Sequence, residues 1–305
     1  MRRVLAPAKV NLYLHVVGRR DDGYHLLDSL VVFADIGDRL TAAPADRLSL
    51  SVEGPEAAAL AGLGDDNLVL RAGRLLAASA GPAAAPAAAL HLEKRLPVAS
   101  GIGGGSSDAA AALRLLAPLW RQSAGAADLP AMAARLGADV PACLAARPVW
   151  VGGVGDQIDV AEALPAAGIV LANPRRALAT PAVFQARRGP FSAVDRFAAM
   201  PPDAAALAAA LATRRNDLTD AARMLVPQID DVLQRLAGLP GALIARMSGS
   251  GATCFALFAD RPAAAAAARE LGAAKPEWWV EGGALLAAPP PIEHPTPRHV
   301  GNAPG

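Results

Sequence analysis

Cysteine is nearly absent. Cys143 and Cys254 are the only two, far apart and outside any Cys-x-x-Cys or His-Cys spacing, which excludes a disulfide scaffold or a thiolate metal site and predicts two free core thiols. An excess of either charge is missing too: the net charge of +1 gives no basic field for nucleic acid and no acidic tail, so no nucleic-acid partner is expected. No apolar run approaches a membrane span without charge or proline, and none of signal-peptide length stands before Lys9 and Asn11. The expectation is a cytoplasmic protein with no membrane partner.

Lysine is scarce as well. Of 29 basic residues only Lys9, Lys94 and Lys275 are lysines. In a chain inflated in Ala, Arg, Gly and Pro, a cation kept as lysine is informative, because a compact, rotatable ammonium serves sites that a planar guanidinium cannot. Asn11, Asn67, Asn173, Asn216 and Tyr24, one of two tyrosines, stand out for the same reason.

Glycine, by contrast, is concentrated where it carries chemistry. Residues 97 to 110 read Pro-Val-Ala-Ser-Gly-Ile-Gly-Gly-Gly-Ser-Ser-Asp-Ala-Ala and run into an alanine-rich helix. Glycines admit positive φ and let backbone N–H groups approach an anion, while a helix starting at Ser106 to Asp108 aims its positive end at the same spot, so the segment reads as a phosphate cradle. A Walker A loop is excluded because no lysine follows the glycines, and a dinucleotide fingerprint from Gly101 and Gly103 fails at Ser106. Protein-kinase signatures are absent.

Alternation and β-formers predict strands at Val10–Val17, Leu30–Ile36, Leu48–Val52 and Leu90–Leu96. Helices are expected over Asn67–Ala78 with Asp65 and Asp66 as caps, over Ser107–Trp120 and over Pro130–Leu136, with Asp139 opening a short one. A second series follows: strands near Val149, at Gly168–Asn173, Ala242–Met247, Cys254–Ala259 and Trp278–Leu286, and helices at Pro181–Ala186, Asp203–Ala212, Thr219–Ala237 and Pro262–Leu271. The expected class is α+β, with an N-terminal domain over 1–160, a C-terminal domain over 161–287 and a proline-rich disordered tail over 288–305.

Three separated segments suggest one site: Ala-Pro-Ala-Lys-Val-Asn-Leu (6 to 12), the glycine turn (101 to 108) and Met-Ser-Gly-Ser-Gly-Ala-Thr-Cys-Phe (247 to 255). In order and spacing they resemble the GHMP kinase superfamily. Further segments are Gly-Arg-Arg-Asp-Asp-Gly-Tyr-His (18 to 25), Asp-Asn-Leu-Val (66 to 69), Leu-Gly-Ala-Asp-Val-Pro (136 to 141) and Asn-Asp-Leu (216 to 218). They are similar to the branch that phosphorylates a cytidine-diphosphate sugar alcohol.

The resemblance implies a two-domain GHMP kinase-like fold with its active site in the cleft between domains, and ATP and Mg2+ as cofactors; a monomer or homodimer is expected. It implies Asp139 as base, with Lys9 beside it polarising the attacking oxygen. Gly101, Gly103, Gly104, Gly105, Ser106 and Ser107 would wrap the phosphates, with Pro97 at the start of the turn and Asn67 and Lys94 near the adenine. Tyr24 and Phe184 would stack on cytosine, His25 would read its edge, Asn11 would meet the sugar alcohol, and Thr180, Gly249, Ser250 and Gly251 would complete the substrate side.

No carboxylate stands in a metal spacing, so the magnesium ligands are unassigned. Asp108, where asparagine is frequent in the family, is expected to cap its helix. Two alternatives stay open at single residues: Asp139 suits a helix cap as well as a base, and Phe184 suits a core. At the level of function, the open alternatives are a sibling kinase for homoserine, mevalonate or a sugar, and a non-catalytic nucleotide sensor.

Overall fold

The computed structural model describes residues 1–62, 64–79, 87–120 and 128–294. The first sheet is built on two long strands, β1 (Arg2–Arg19) and β2 (His25–Pro44), antiparallel to each other along their whole length. They are followed by β3 (Ser49–Glu53), two short 3-10 turns (Ala57–Leu60 and Gly64–Asp66), α1 (Leu68–Ser79), β4 (Ala88–Glu93), α2 (Gly104–Leu119), α3 (Leu129–Leu136), α4 (Val140–Ala145), β5 (Val149–Gly153) and β6 (Gln157–Val160). β1 lines one edge of β2. The other edge is shared: β4 pairs with residues 39–44 and β5 with residues 27–31. β3 joins β4 in parallel, which requires a crossover, and α1 supplies it.

The second sheet has the order β10-β7-β9-β8 and is antiparallel throughout. Its elements run β7 (Gly168–Asn173), α5 (Thr180–Ala186), α6 (Ala204–Ala212), α7 (Thr219–Leu225), α8 (Gln228–Ala237), β8 (Ile244–Met247), β9 (Cys254–Phe258), α9 (Arg261–Ala274) and β10 (Trp279–Ala284). Because side chains alternate along a strand, β7 and β9 serve two cores. Ile169, Leu171, Phe255 and Leu257 meet Val10, Leu12, Leu30 and Val32 of the first sheet. Val170, Ala172, Ala256 and Phe258 face α8 and α9. A third core lies between the first sheet and α1, α2 and α4.

The site is set up by a change of phase in β1. Val4 and Ala6 belong to the helix-side core, whereas Ala8, Val10 and Leu12 belong to the core between the sheets. The register with β2 shifts between Pro7 and Lys9, where Ala8 alone stands opposite Ala34, Asp35 and Ile36 of β2, and past this irregularity the side chains of β1 are turned over. Lys9 and Asn11 are thereby put on the face that carries the glycine turn, held in β1 between this bulge and a second one between Asn11 and Tyr13.

Several expectations are corrected. The helix after the glycine turn starts at Gly104, so Gly104 and Gly105 form its first turn. Asn67, rather than Asp65 or Asp66, caps α1: its Oδ1 accepts from the Val69 N–H at 2.9 Å. The helix expected over Thr219–Ala237 divides into α7 and α8, because Pro227 cannot donate to the ladder and forces Val226 out of the helical region. Part of the tail is structured, since Glu293 exchanges backbone hydrogen bonds with Arg3 and Ile292 packs on the helix-side core. Residues 295–305 lie outside the described residues. Both cysteines are free and buried, and burial pushes both thiols up. Among the described residues no helix is long and apolar enough to cross a membrane.

Candidate active site

Lys9 and Asp139 come together. Asp139 sits at the N-cap of α4, with Pro141 in the first turn, yet its carboxylate makes no cap hydrogen bond. Instead Oδ1 accepts from Lys9 Nζ at 2.6 Å, which answers the helix-cap alternative. The Lys9 side chain is 9% exposed and that of Asp139 51%. The ammonium is fixed in the floor while the carboxylate looks outward. A half-exposed ion pair adds little to stability, so the arrangement calls for a chemical account.

The glycine turn packs over this floor. The Lys9 N–H donates to Ile102 O at 3.0 Å. Gly103 has φ +64°, and a Cβ there would stand 3.2 Å from Lys9 Cβ. At Gly101, with φ +77°, a Cβ would strike Gly251 O at 2.5 Å. Only glycine lets the turn lie between Lys9 and the 247–253 segment. Beyond it the first N–H groups of α2, from Gly104, Gly105 and Ser106, open the helix and have no partner within it. Gly105 is exposed and Ser106 half-buried, a surface suited to an anion.

Two residues expected to touch the nucleotide are drawn inward, and their roles are corrected. The Lys94 ammonium is buried between Asp38 and Asp108, at 2.5 and 2.8 Å, beneath Gly104. Ser107 Oγ donates to Pro7 O at 2.7 Å and is buried. Both hold the turn from below, and neither side chain faces outward. Asp108 is a further correction: it does not cap α2 but joins Lys94. Pro97 is buried, its carbonyl accepting from Ser100 Oγ at 2.6 Å. Asn67 borders a hollow of about 330 Å3 lined also by Leu48, Leu50, Val52, Leu60 and Leu70.

The third segment is tied to the other two. Ser248 Oγ accepts from the Asn11 N–H at 3.1 Å, and the Thr253 N–H donates to Ser100 O at 3.2 Å. Gly249 lies against Gly101 O and Asn11 Oδ1. Ser250 Oγ meets Thr180 Oγ1 at 2.8 Å, linking the segment to α5. Asn11 Nδ2 donates to Ser29 Oγ at 2.8 Å, while its Oδ1 is buried without a hydrogen-bond partner among the described residues. Such an acceptor is costly unless a ligand donor reaches it.

Away from Lys9, Phe184 and His25 stack on one another, with centroids 5.2 Å apart and planes at 27°. Phe184 is half-buried and Tyr24 is 65% exposed. His25 is held below its usual range, first by burial and then by the positive charges of Arg19 and Arg187.

Asn216 and Ser248 are structural members of the site to which sequence reasoning gave no role, although both fall in segments it had singled out. Asn216 Nδ2 donates to Met247 O and Gly249 O at 2.9 and 2.8 Å, and its Oδ1 accepts from the Leu218 N–H at 3.0 Å. A buried side chain bonding on both sides of a turn is a clamp. We expect Asn216→Leu to cost about 1–3 kcal/mol per orphaned buried group, read as lower stability in urea unfolding, and an unchanged midpoint would refute the clamp.

The chain has relatives among known proteins. Residues 67–147 match the family model for the GHMP kinases N terminal domain, and residues 198–277 match that for the GHMP kinases C terminal. The chain is 56% identical to the 4-diphosphocytidyl-2-C-methyl-D-erythritol kinase of Paramagnetospirillum magneticum over 90% of this chain and 95% of that one. It is 54% identical to the enzyme of the same name from Rhodospirillum rubrum over 90% of each chain. A crystal structure of 4-(cytidine 5'-diphospho)-2C-methyl-D-erythritol kinase superposes with a TM-score of 0.75 at 36% identity, covering 93% of this chain and 99% of that one. Homoserine kinase from Cytophaga hutchinsonii shares the fold at TM-score 0.69 and 16% identity, covering 96% of this chain and 97% of that one.

Proposed function

The chain belongs to the GHMP kinases, and within them to the 4-diphosphocytidyl-2-C-methyl-D-erythritol kinases; from that premise we propose how its residues transfer phosphate from ATP to the 2-hydroxyl of that sugar alcohol. The reaction serves the non-mevalonate route to isoprenoid precursors, and ATP as donor makes the cytoplasm the compartment we infer. The observation that carries the proposal is the Lys9–Asp139 pair lying beside the glycine turn.

The open N–H groups of Gly104, Gly105 and Ser106 receive the phosphates of ATP. Asp139 accepts the proton of the substrate hydroxyl as its oxygen bonds to the terminal phosphorus and ADP departs. Lys9 orients the carboxylate and offsets charge on the entering oxygen. The buried Asn11 Oδ1, lacking a donor, is the acceptor for a second hydroxyl of the sugar alcohol. Among the described residues no three His, Cys, Asp or Glu side chains converge as a metal shell. Magnesium, arriving with ATP, would be held largely by phosphate oxygens and water, as suits a reluctantly dehydrating cation, and would offset charge on the phosphates.

On the base-binding side, Tyr24, His25 and Phe184 take cytosine. A neutral imidazole has one donor and one acceptor nitrogen and can match a base edge that carries both. Because the His25 value is lowered from 6.5, the neutral imidazole is the larger fraction at that pH and the protonated form gains on it as pH falls further. KM for the cytidine substrate should therefore make most of its climb below pH 6.5, with KM for ATP unmoved over that acid range. A climb already complete by pH 6.5 would remove His25 from this role.

The function itself is tested by ADP release with 4-diphosphocytidyl-2-C-methyl-D-erythritol, mevalonate and homoserine offered separately, the product phosphate being located by phosphorus NMR. Turnover confined to the first acceptor, with phosphate on its 2-hydroxyl, is expected. Preference for another acceptor would defeat the assignment.

A further inference from the structure

We propose that Asp108 is a positioning residue of the nucleotide site, fixing the start of α2 from below through Lys94 and Asp38 and doing so in its uncharged form. This rests on the glycine turn being where ATP binds.

The three side chains form a cluster closed to solvent, with exposures of 2% for Lys94, 0% for Asp38 and 4% for Asp108. Their bonds are unequal. Asp38 is fully served as an anion: Oδ2 accepts from Lys94 Nζ at 2.5 Å, and Oδ1 accepts from the N–H groups of Arg95 and Leu96 at 2.6 and 2.8 Å. Asp108 has one oxygen on Lys94 at 2.8 Å, and its other oxygen is buried with no hydrogen-bond partner among the described residues.

Two carboxylates on one ammonium leave a surplus negative charge in a cluster closed to solvent, and the naked oxygen of Asp108 is where it would rest. Burying an unpaired charge is costly, and a proton on Asp108 removes that cost. Burial pushes the Asp108 carboxyl up to about 8; Lys94 opposes this, and Asp38 adds to it. For Lys94, burial alone would lower the value, but Asp108 and Asp38 outweigh it and hold the ammonium above its usual range.

The cluster reaches the phosphate site by contact. Lys94 Nζ lies 3.1 Å from where a Cβ of Gly104 would stand, and Gly104 is the first residue of α2. The remaining neighbours set no competing switch. α4 presents the Cys143 thiol, itself pushed up by burial, and Asp139, which is bonded to Lys9 of β1. Arg71 and Arg74 of α1 and Arg135 of α3 are exposed. Ionising Asp108 would put a negative charge beneath the phosphates and pull Lys94 toward a second full anion, so ATP should bind less well as pH rises through about 8. Stability shares that sign: a carboxyl raised in the folded state favours folding below its unfolded value near 4, and the benefit is lost as pH rises to the folded one.

The experiment is equilibrium binding of ATP to the full chain from pH 6 to 9.5, alongside kcat and both KM values, for the parent and Asp108→Asn, which keeps the shape and cannot ionise. For the parent, ATP affinity should fall on the order of tenfold across the upper range, the change expected of one group titrating with a modest coupling, while kcat moves little. Asp108→Asn should bind ATP with level affinity throughout.

A parent that shows no fall, or a variant with the same fall, overturns the proposal. If Asp108→Asn does not fold, infrared spectra of the parent decide: a protonated-carboxyl band present at pH 7 and lost by pH 9.5 supports it, and its absence at pH 7 overturns it. ATP binding needs no acceptor, so a wrong acceptor assignment shows itself in the ADP-release assay and leaves this test intact.

Discussion

Asp139→Asn is expected to lower turnover by about 10²- to 10⁴-fold, the range for loss of a positioned base, with KM for ATP changed less than threefold on the order of the assay's own scatter. The substitution keeps the shape and the bond from Lys9 while removing the proton acceptor. ATP affinity should survive because the carboxylate belongs to α4, whereas the open N–H groups that receive phosphate belong to α2.

The pair should act as a unit. Lys9 Nζ and Asp139 Oδ1 are 2.6 Å apart, so Lys9→Met in the Asp139→Asn background should cost much less than Lys9→Met alone. Lys9→Arg should not rescue, since a planar fork cannot take the place of the compact ammonium that bonds Asp139 Oδ1. Turnover of Asp139→Asn within twofold of the parent would eliminate the carboxylate as base.

Much of this site was legible because the chemistry needed unusual residues. A lysine and an asparagine interrupting an apolar strand, and glycines packed before a helix, are choices that a core or a linker does not require, and the structure brings Lys9, Asp139 and the 247–253 segment to that turn. β7 was legible for a simpler reason: a strand buried on both faces reads as one continuous apolar run.

What escaped was whatever depends on phase or direction. The irregularity opposite Ala8 leaves no mark in the letters of β1, because alanine fits either of its faces. The inward turn of Lys94 and Asp108 depends on Asp38, a partner 56 residues from Lys94, and that of Ser107 on the Pro7 carbonyl of β1. Local reasoning gave Asp108 to a helix cap because short polar residues before a helix commonly cap it; the helix had already begun at Gly104. The ordered part of the tail depends on Arg3 at the opposite end of the chain.

Gly101→Ala should abolish measurable activity, with ATP binding lost on the order of a hundredfold or more. Two costs coincide there. The residue has φ +77°, where a side chain is strained by about 1–2 kcal/mol, and its Cβ would lie 2.5 Å from Gly251 O and 2.9 Å from Gly251 N. Those are backbone atoms that cannot swing aside like the end of a side chain. The Gly251 segment is itself held: Asn216 bonds Met247 O and Gly249 O, and Thr253 donates to Ser100 O.

The glycine turn must therefore lift away from the segment, and with it the start of α2. A displacement of about 1 Å in a positioned phosphate site costs on the order of a hundredfold in rate. Gly62→Ala provides the control, with φ +91° and nothing within 4 Å of its Cβ. It shares the strain without the collision and lies outside the site, so it should lose about 1 kcal/mol of stability and keep its kinetics. If Gly101→Ala behaved like Gly62→Ala, the contact between turn and segment would not be what holds the phosphate site in place.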